Sequence, residues 1–410
     1  MRESLFKKLT GLLLALLLLV ITVVFFTNDS GLLDLRKTSV IIGVGLDYEG
    51  EKLKLTAQVA VPQASENGAE TQFTTVEGTG KTVACCLNDI NVKTGFYPKL
   101  VFCRLVLLGE SCMEKDVNTL LNYFFDNEYT GLTPMIAACK GEANKMLTVQ
   151  LPFGNSTTDS IQRLLSEEAQ KSGNVATTDL NKFGQGYFTE SGTAHMPYII
   201  MNDSNQQGGG TSGAGGGGEQ PESGGSGGSG GGEGQSQGGE KQEKTEFLCN
   251  RMAVFEKGYF KGVLDDKETF AYNLLNSKIR HAYTECTSGE ERMVLGLRHC
   301  KGGVSLEIES GAPVLKLSFS AVAKRIVDEN DTESKKKSME RTSEKDLESG
   351  VKTLTEQITA LFERSKELNC DLLNVRDLLY KKHYRYFETL KDSVFENATL
   401  SCEVKLKSTS

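Results

Sequence analysis

The sequence predicts an α+β fold: a multi-domain extracytoplasmic ectodomain of mixed sheets and amphipathic helices, preceded by one N-terminal transmembrane helix. Three observations lead to this prediction: an apolar run near the N-terminus, a Gly/Ser-rich segment in mid-chain, and strand-like and helix-like patterns on both sides of that segment. The length of 410 residues allows two or three domains of about 100–200 residues each. Runs of strands and helices, in place of regular βαβ units, favour mixed sheets.

Residues 1–28 are predicted to form a short cytoplasmic tip and a signal-anchor helix. The apolar run covers residues 9–26, about 18 residues, which is just enough to cross a hydrocarbon core of about 30 Å. Basic residues precede the run and acidic residues follow it (Arg2, Lys7 and Lys8; Asp29 and Asp34). This charge asymmetry places the N-terminus in the cytoplasm and everything after Asn28 outside the membrane. A cleaved signal peptide is the alternative, but its apolar core would be only about 7–15 residues long.

Composition excludes one class of partner and restricts the cysteine chemistry. The net charge is −8 and the longest basic run is the short Lys335–Lys337, so nucleic acid is not an expected partner. Ten cysteines occur without a C-x-x-C pair, and most are expected to be small buried hydrophobes. The sequence also allows one or two disulfides, because pairing cannot be deduced from sequence. The first cysteine is Cys85, so no residue near the anchor could carry a lipid.

The N-terminal domain, residues 32–201, has room for two subdomains and is predicted to open with a β-hairpin. Residues 39–46 are apolar and β-branched, Glu49–Glu51 is a turn, and apolar and polar residues alternate from Leu53 to Val61. Two further buried strands are predicted at Lys99–Leu108 and Thr133–Cys139. Amphipathic patterns predict helices at Thr79–Val92, Glu114–Phe125, Glu142–Thr148 and Thr157–Lys171.

Residues 202–245 are predicted to be a disordered linker, because a stretch of Gly, Ser, Gln and Glu cannot bury apolar surface. A flexible chain of about 40 residues has an r.m.s. span of about 35 Å. We therefore expect the two folded halves to move independently.

The C-terminal domain, residues 246–410, is also predicted to start with a hairpin, formed by Arg251–Phe255 and Tyr259–Leu264. The longest helix is expected at Glu344–Leu368, and its single apolar stripe favours packing on its own sheet over a coiled coil. The other elements predicted here are helices at Lys267–Ser277 and Asp371–Lys382, and strands at Ser305–Ser310, Val314–Ile326 and Thr399–Lys407.

Two glycine motifs look like parts of nucleotide-binding sites, but the sequence around them does not support that interpretation. Gly43–Gly45 follows a strand, but no third glycine comes at the required place, and a turn and second strand follow in place of a helix. Gly78–Thr82 resembles the end of a phosphate-binding loop, but Thr75 stands where the first glycine is required. A turn with a helix start is the better interpretation of the second motif.

Residues able to do chemistry do not form a known constellation. The four histidines (His195, His281, His299 and His383) have no i, i+4 partner, and Cys249, Cys286 and Cys300 match no common zinc spacing. Asp265–Asp266 could act as an acid–base pair, but between a strand and a helix it is better interpreted as a helix cap. We predict no catalytic, cofactor-binding or metal-binding residue, no cofactor, and a protein that is not an enzyme.

Several segments, in order, resemble the Ger(x)C spore germination family, the C subunits of germinant receptors. In the N-terminal domain they are Leu33–Lys37, Val40–Asp47 (the family's "GIGxD" strand), Thr56–Pro62, Gly78–Thr82, Pro98–Leu100 and Leu105–Glu110. In the C-terminal domain they are Ala253–Gly258, Lys261–Thr269, Cys370–Leu373 with the helix reaching Tyr384, and the final strand. The resemblance covers nearly the whole exported chain except the glycine-rich linker.

Two departures from the family pattern bear on the anchor and the linker. Asp29–Gly31 stands where the family has a lipid-bearing cysteine, which is why we predict a lipoprotein-like protein with a transmembrane helix in place of the lipid. The linker is also longer than the family needs.

The resemblance implies a non-enzymatic, membrane-anchored subunit of a spore germinant receptor. Such a subunit would scaffold or gate the receptor at the outer face of the inner spore membrane or cytoplasmic membrane. Its partners would be the integral-membrane A and B subunits, the membrane itself through residues 9–26, and no directly bound germinant. The alternative is an extracytoplasmic solute-binding or adhesion module unrelated to germination, and a cell-wall enzyme is a third hypothesis.

Overall fold

The computed structural model describes residues 11–22, 38–65, 68–127, 130–149, 155–203, 245–276, 279–288, 291–326 and 342–408. Their strands form a nine-stranded sheet, here called the large sheet, and a four-stranded small sheet. The strands are β1 Thr38–Glu49, β2 Lys52–Ser65, β3 Gly68–Gly80, β4 Tyr97–Lys99, β5 Leu105–Leu108, β6 Met135–Cys139, β7 Thr193–Asp203, β8 Thr245–Glu256, β9 Tyr259–Leu264, β10 His281–Ser288, β11 Glu291–Glu309, β12 Ala312–Ile326 and β13 Thr399–Ser408.

The described residues also form helices, and most of these pack on the two sheets. They are α1 (11–22), α2 Val83–Thr94, α3 Glu110–Met113, α4 Val117–Asp126, α5 Ala143–Thr148, α6 Thr157–Leu164, α7 Glu167–Gln170, α8 Leu180–Tyr187, α9 Asp266–Asn276, α10 Glu344–Glu367, α11 Val375–Lys382, α12 Tyr384–Leu390 and α13 Val394–Asn397. The α+β class predicted from sequence is confirmed.

The centre of the large sheet is parallel. Its order is β3-β2-β1-β5-β6-β7-β8-β9 with β4 beside β1, and β1, β5, β6 and β7 run parallel with helices in each connection. The expectation that such crossovers are missing was therefore wrong. β5 and β6 have only four and five residues, too few for a clear sequence period. The predicted strand Lys99–Leu108 is in fact β4 and β5, separated by a turn.

Two layers of helices cover this parallel centre. Side chains of β5 point alternately to the two faces: Leu105 and Leu107 pack with α5 and α6 in one core cluster. Val106 and Leu108 pack with α2, α4 and α8 in the other. A strand that is covered on both faces reads as a continuous apolar run, and all four residues of β5 are buried.

The segment 204–244 connects the two strands of a hairpin, because β7 and β8 pair antiparallel up to Asp203 and Thr245. β9 then pairs with β8, so the first two strands after the predicted linker complete the sheet of the N-terminal half. The expectation that the halves move independently was wrong, since one hydrogen-bonded sheet contains strands from both. The predicted linker itself lies outside the described residues except at its ends.

The small sheet belongs entirely to the C-terminal half and runs in the order β10-β11-β12-β13. The apolar stripe of α10, with Leu354, Ile358 and Phe362 fully or almost fully buried, packs in the same core cluster as β10 to β13. The prediction that the longest helix packs on its own sheet is confirmed. The β10 pattern of exposed and buried residues alternates strictly, as expected for a sheet with one covered face.

The predicted anchor is described only in part. Residues 11–22 are helical, and their leucines are exposed. The remainder of the predicted span 9–26 lies outside the described residues. Among the helices that the structure describes, none is long and apolar enough to cross a bilayer.

Candidate functional site

In the N-terminal half, the segments that resemble the family fix where helices pack on the large sheet. Asp47, at the end of the "GVGLD" segment, accepts hydrogen bonds from the backbone N–H groups of Ala143 and Asn144, both at 2.9 Å. These N–H groups open α5 and lack partners within the helix. The carboxylate therefore fixes the start of α5 to the end of β1. Burial raises the pKa of Asp47, although the two backbone hydrogen bonds act against that shift.

The glycines of the same segment allow helices to approach the sheet closely. A Cβ on Gly43 would lie 2.2 Å from the hydroxyl oxygen of Thr158 in α6, and one on Gly45 would lie 2.9 Å from Leu147 in α5. Both distances are shorter than van der Waals contact. The glycines are required for helix packing, and the dinucleotide interpretation finds no support in the connection that follows β1, which is a turn to β2.

Gly78–Thr82 has a similar packing role. A Cβ on Gly78 would lie 2.1 Å from the carbonyl oxygen of Cys86, and Thr82 caps α2 by accepting a hydrogen bond from the N–H of Cys85 at 3.3 Å. The interpretation as a helix start is confirmed. The helix begins at Val83, however, and not at Thr79, because β3 continues to Gly80.

A buried aspartate joins the two halves of the chain. Asp371 is fully buried and accepts hydrogen bonds from the Ser191 hydroxyl at 2.7 Å and from the N–H groups of Val375 and Arg376 at 2.7 and 2.9 Å. Ser191 also accepts a hydrogen bond from the N–H of Asp377 at 3.2 Å. Burial raises the pKa of Asp371 against the effect of these hydrogen bonds. Sequence reasoning missed Ser191, because nothing local marks a residue whose partner is 180 positions away.

His195 makes a second, partly buried contact across the same interface. Its Nδ1 lies 3.3 Å from the hydroxyl of Tyr272 in α9, and the two rings meet edge to face. Burial, with a smaller contribution from Lys182, lowers the pKa of His195 to about 4, and burial raises the pKa of Tyr272 well above its ordinary value. At neutral pH both groups are uncharged, so this pair contributes packing and not a proton relay.

A cleft of about 1180 Å³ lies between the large sheet, the small sheet and the helices α6, α9 and α10. Phe247–Asn250 of β8 form part of its lining, and β9 pairs with β8 only from Met252 onward. Tyr283–Thr287 of β10 form another part, and β10 pairs only with β11 among the described strands. Two strand edges without a paired neighbour in the described structure therefore line the cleft.

The cleft lining is mixed in polarity. Three cationic and two anionic side chains contribute to it (Arg163, Lys267 and Arg292; Asp266 and Glu285). Two buried polar atoms on its lining, Thr284 Oγ1 and Gln357 Oε1, have no hydrogen-bond partner among the described residues.

The cysteines and the aspartate pair considered as site residues occupy structural positions. Cys249 and Cys286 line the cleft, and burial raises their pKa values to about 12 and 11, which leaves both as unreactive thiols at neutral pH. All ten cysteines are free and seven are buried, as expected for small hydrophobes. Asp265 and Glu268 form a reciprocal capping box at 2.8 and 2.9 Å at the start of α9, so the cap interpretation is confirmed.

The remaining histidines do not join these cysteines. His281 is exposed on β10, His299 lies in an irregular turn of β11 with φ 53°, and His383 Nε2 lies 2.8 Å from the carbonyl oxygen of Leu306. Within the described ranges, no group of three or more His, Cys, Asp and Glu side chains is arranged to hold a metal ion.

Comparison with known proteins assigns the family. The family model for the spore germination protein N-terminal domain matches residues 33–201, and the model for the spore germination B3/GerAC-like C-terminal domain matches residues 250–409. The chain belongs to the GerAC-like spore germination protein family. A role in spore germination follows from this membership, and the resemblance seen in the sequence is confirmed.

Two individual proteins are similar to this GerAC-like chain over most of their length. Spore germination protein B3 of Bacillus subtilis (strain 168) is 22% identical over 390 residues, which are 91% of this chain and 91% of that protein. The crystal structure of the GerBC protein matches 89% of this chain and 96% of that chain, with 15% identity and a TM-score of 0.49.

Proposed function

We propose that this GerAC-like protein is a non-enzymatic subunit of a spore germinant receptor, held in the membrane by residues 9–26. The observation that carries the proposal is the family match, which extends over both halves of the exported chain. The subunit lies at the outer face of the inner spore membrane or cytoplasmic membrane and assembles with integral-membrane A and B subunits. The germinant binds to those partners and not to this chain.

The role we assign to the ectodomain is that of a rigid scaffold. A scaffold must keep its contact surfaces in a fixed relation, and three features of this chain support such a role. β7 and β8 join the halves in one sheet, Asp371 and Ser191 are hydrogen bonded in the interface, and Arg376 forms an ion pair with Glu256 at 2.9 Å. The motif residues Asp47 and Asp371 both hold helix starts, which is a structural use of carboxylates.

Deletion of this chain from a spore-forming host tests the proposal. We expect loss of the germination response to a mixture of amino acids, sugars and nucleosides, together with lower amounts of the A and B subunits in spore membranes. The native chain should restore both, and a chain with Leu14→Arg and Leu17→Arg should not, since arginine at the centre of a span is costly. Normal germination and normal subunit amounts without the chain would refute the proposal.

An extracytoplasmic solute-binding module is the second candidate, and the cleft is the observation that favours it. Its volume is slightly above that of typical small-molecule sites, and its lining includes Thr284 and Gln357, each with a polar atom that has no partner among the described residues. A thermal-shift screen of the full chain against amino acids, sugars and nucleosides separates the two candidates. A concentration-dependent rise in Tm that Gln357→Leu abolishes would favour solute binding, and unchanged Tm with every compound would exclude these solute classes.

A further inference from the structure

Exposed apolar side chains are concentrated between residues 92 and 102. Val92, Phe96, Tyr97, Val101 and Phe102, here called the aromatic patch, are 76%, 46%, 51%, 50% and 56% exposed. Outside α1, no other stretch of eleven residues in the described chain exposes as many large hydrophobic side chains. Scattered exposed hydrophobic residues are ordinary, whereas a contiguous group marks a contact surface.

The backbone holds the aromatic patch in place. α2 ends at Thr94, and the φ of 73° at its C-cap residue Gly95 turns the chain; β4 then pairs with the start of β1. Leu100 and Cys103 are buried on either side of Val101 and Phe102, and the N–H of Cys103 donates to the carbonyl of Leu100 at 2.8 Å. The two exposed side chains are therefore presented outward by a turn whose neighbours are fixed in the core.

The aromatic patch lies beside the point at which the chain comes from the predicted anchor. Tyr97 is the register partner of Thr38, the first described residue of the ectodomain. Between the end of the apolar run and Thr38 are residues 27–37. Eleven residues extend at most about 40 Å, so Thr38, beside the patch, is tethered within about that distance of the end of the apolar run.

We propose that the aromatic patch contacts the lipid bilayer and inserts into its interfacial region. The proposal rests on the anchor of the proposed function, and the length of chain between the anchor and Thr38 selects a bilayer as the occupant. The chemistry agrees, because amphipathic rings such as Tyr97 and apolar Phe side chains are favoured at the headgroup boundary. Contact at this second point orients the ectodomain on the membrane in addition to tethering it.

Single tryptophan variants of the full chain test this contact, since the native chain contains no tryptophan. Phe102→Trp reports on the patch, Leu16→Trp on the anchor, and Tyr283→Trp serves as the control. Tyr283 is 61% exposed and lines the cleft, as does Leu248 of β8. The strands β1, β5, β6 and β7 are parallel and therefore all start at the same end of the large sheet. Because β8 is antiparallel to β7, the start of β8 pairs with the end of β7. The part of the cleft lined by β8 is therefore at the opposite end of the strands from the start of β1.

Each variant is reconstituted in phosphatidylcholine–phosphatidylglycerol vesicles with and without bromine on the acyl chains, which quenches tryptophan at bilayer depth. We expect Leu16→Trp and Phe102→Trp to lose about half or more of their emission, as for side chains about 5–10 Å inside the interface, and Tyr283→Trp to keep its emission. Quenching of Leu16→Trp alone leaves the anchor intact and overturns the patch proposal. Emission that no variant loses refutes the anchor itself, and equal quenching of all three indicates non-specific adsorption and also overturns the proposal.

Discussion

Asp371 accepts a hydrogen bond from Ser191 at 2.7 Å and thereby connects the C-terminal half with the segment that leads into β7. Replacing Asp371 by Ala leaves the N–H groups of Val375 and Arg376 and the Ser191 hydroxyl without their buried acceptor. We expect the free energy of unfolding to fall by about 3 kcal/mol, measured by urea unfolding in detergent. Asp392→Ala, at an exposed position of the same half, is the matched control and should change little.

Gly43 and Thr158 provide a double-mutant test of helix packing. Gly43→Ala places a Cβ 2.2 Å from Thr158 Oγ1 and should cost about 2 kcal/mol. Thr158→Ala alone should cost little, because that hydroxyl is buried without a partner. In the double variant the nearest remaining atom, Cβ of residue 158, is 3.2 Å away, so most of the lost stability should return. Purely additive effects of the two substitutions would contradict this account of the motif.

Shortening the segment 204–244 should stabilise the protein. Its ends are the paired residues Asp203 and Thr245, so the segment is a loop whose closure entropy is paid on folding. Reducing its 41 residues to about 8 lowers that cost by about 1.5 kcal/mol. The expected observation is one cooperative urea transition at a higher midpoint. Two separate transitions would indicate that the halves do not share a cooperative unit.

The burial of His195 makes stability depend on pH. The unfolded side chain binds a proton near its usual pKa of about 6.5, whereas the native side chain binds one only near pH 4. The stabilisation is therefore present above pH 6.5 and is lost as the pH falls towards 4. Between pH 7 and pH 5 we expect a loss of about 1 to 2 kcal/mol that His195→Asn, which keeps a polar partner for Tyr272, does not show. His281→Asn, on an exposed position, should retain the native pH dependence.

The elements with a regular period could be predicted from the sequence. β1, β2, β12, β13, α9 and α10 lie within a few residues of their predicted ranges, because each buries one face and so alternates or repeats visibly. β3, with Thr71, Thr74, Thr75 and Thr79 among its residues, was missed because its polar composition hides the alternation. β10 and the first part of β11 were also missed.

The contacts that join the halves could not be predicted. His195 with Tyr272 and Ser191 with Asp371 are 77 and 180 residues apart, and no local pattern specifies such pairs. The cap formed by Asp265 was predictable, because both members of the capping box lie within four residues of each other. The cleft depends on the relative placement of two sheets, which the sequence alone did not indicate.

The hairpin of β7 and β8 also has a consequence for the order of folding. As the chain emerges with its N-terminus first, β7 is complete at residue 203, but its outer edge has no partner until β8 has emerged as far as Glu256. An exposed strand edge is prone to pair with other chains. The long segment between them lengthens this vulnerable interval during synthesis, so the nascent protein needs protection from aggregation until more than half of its residues have left the ribosome.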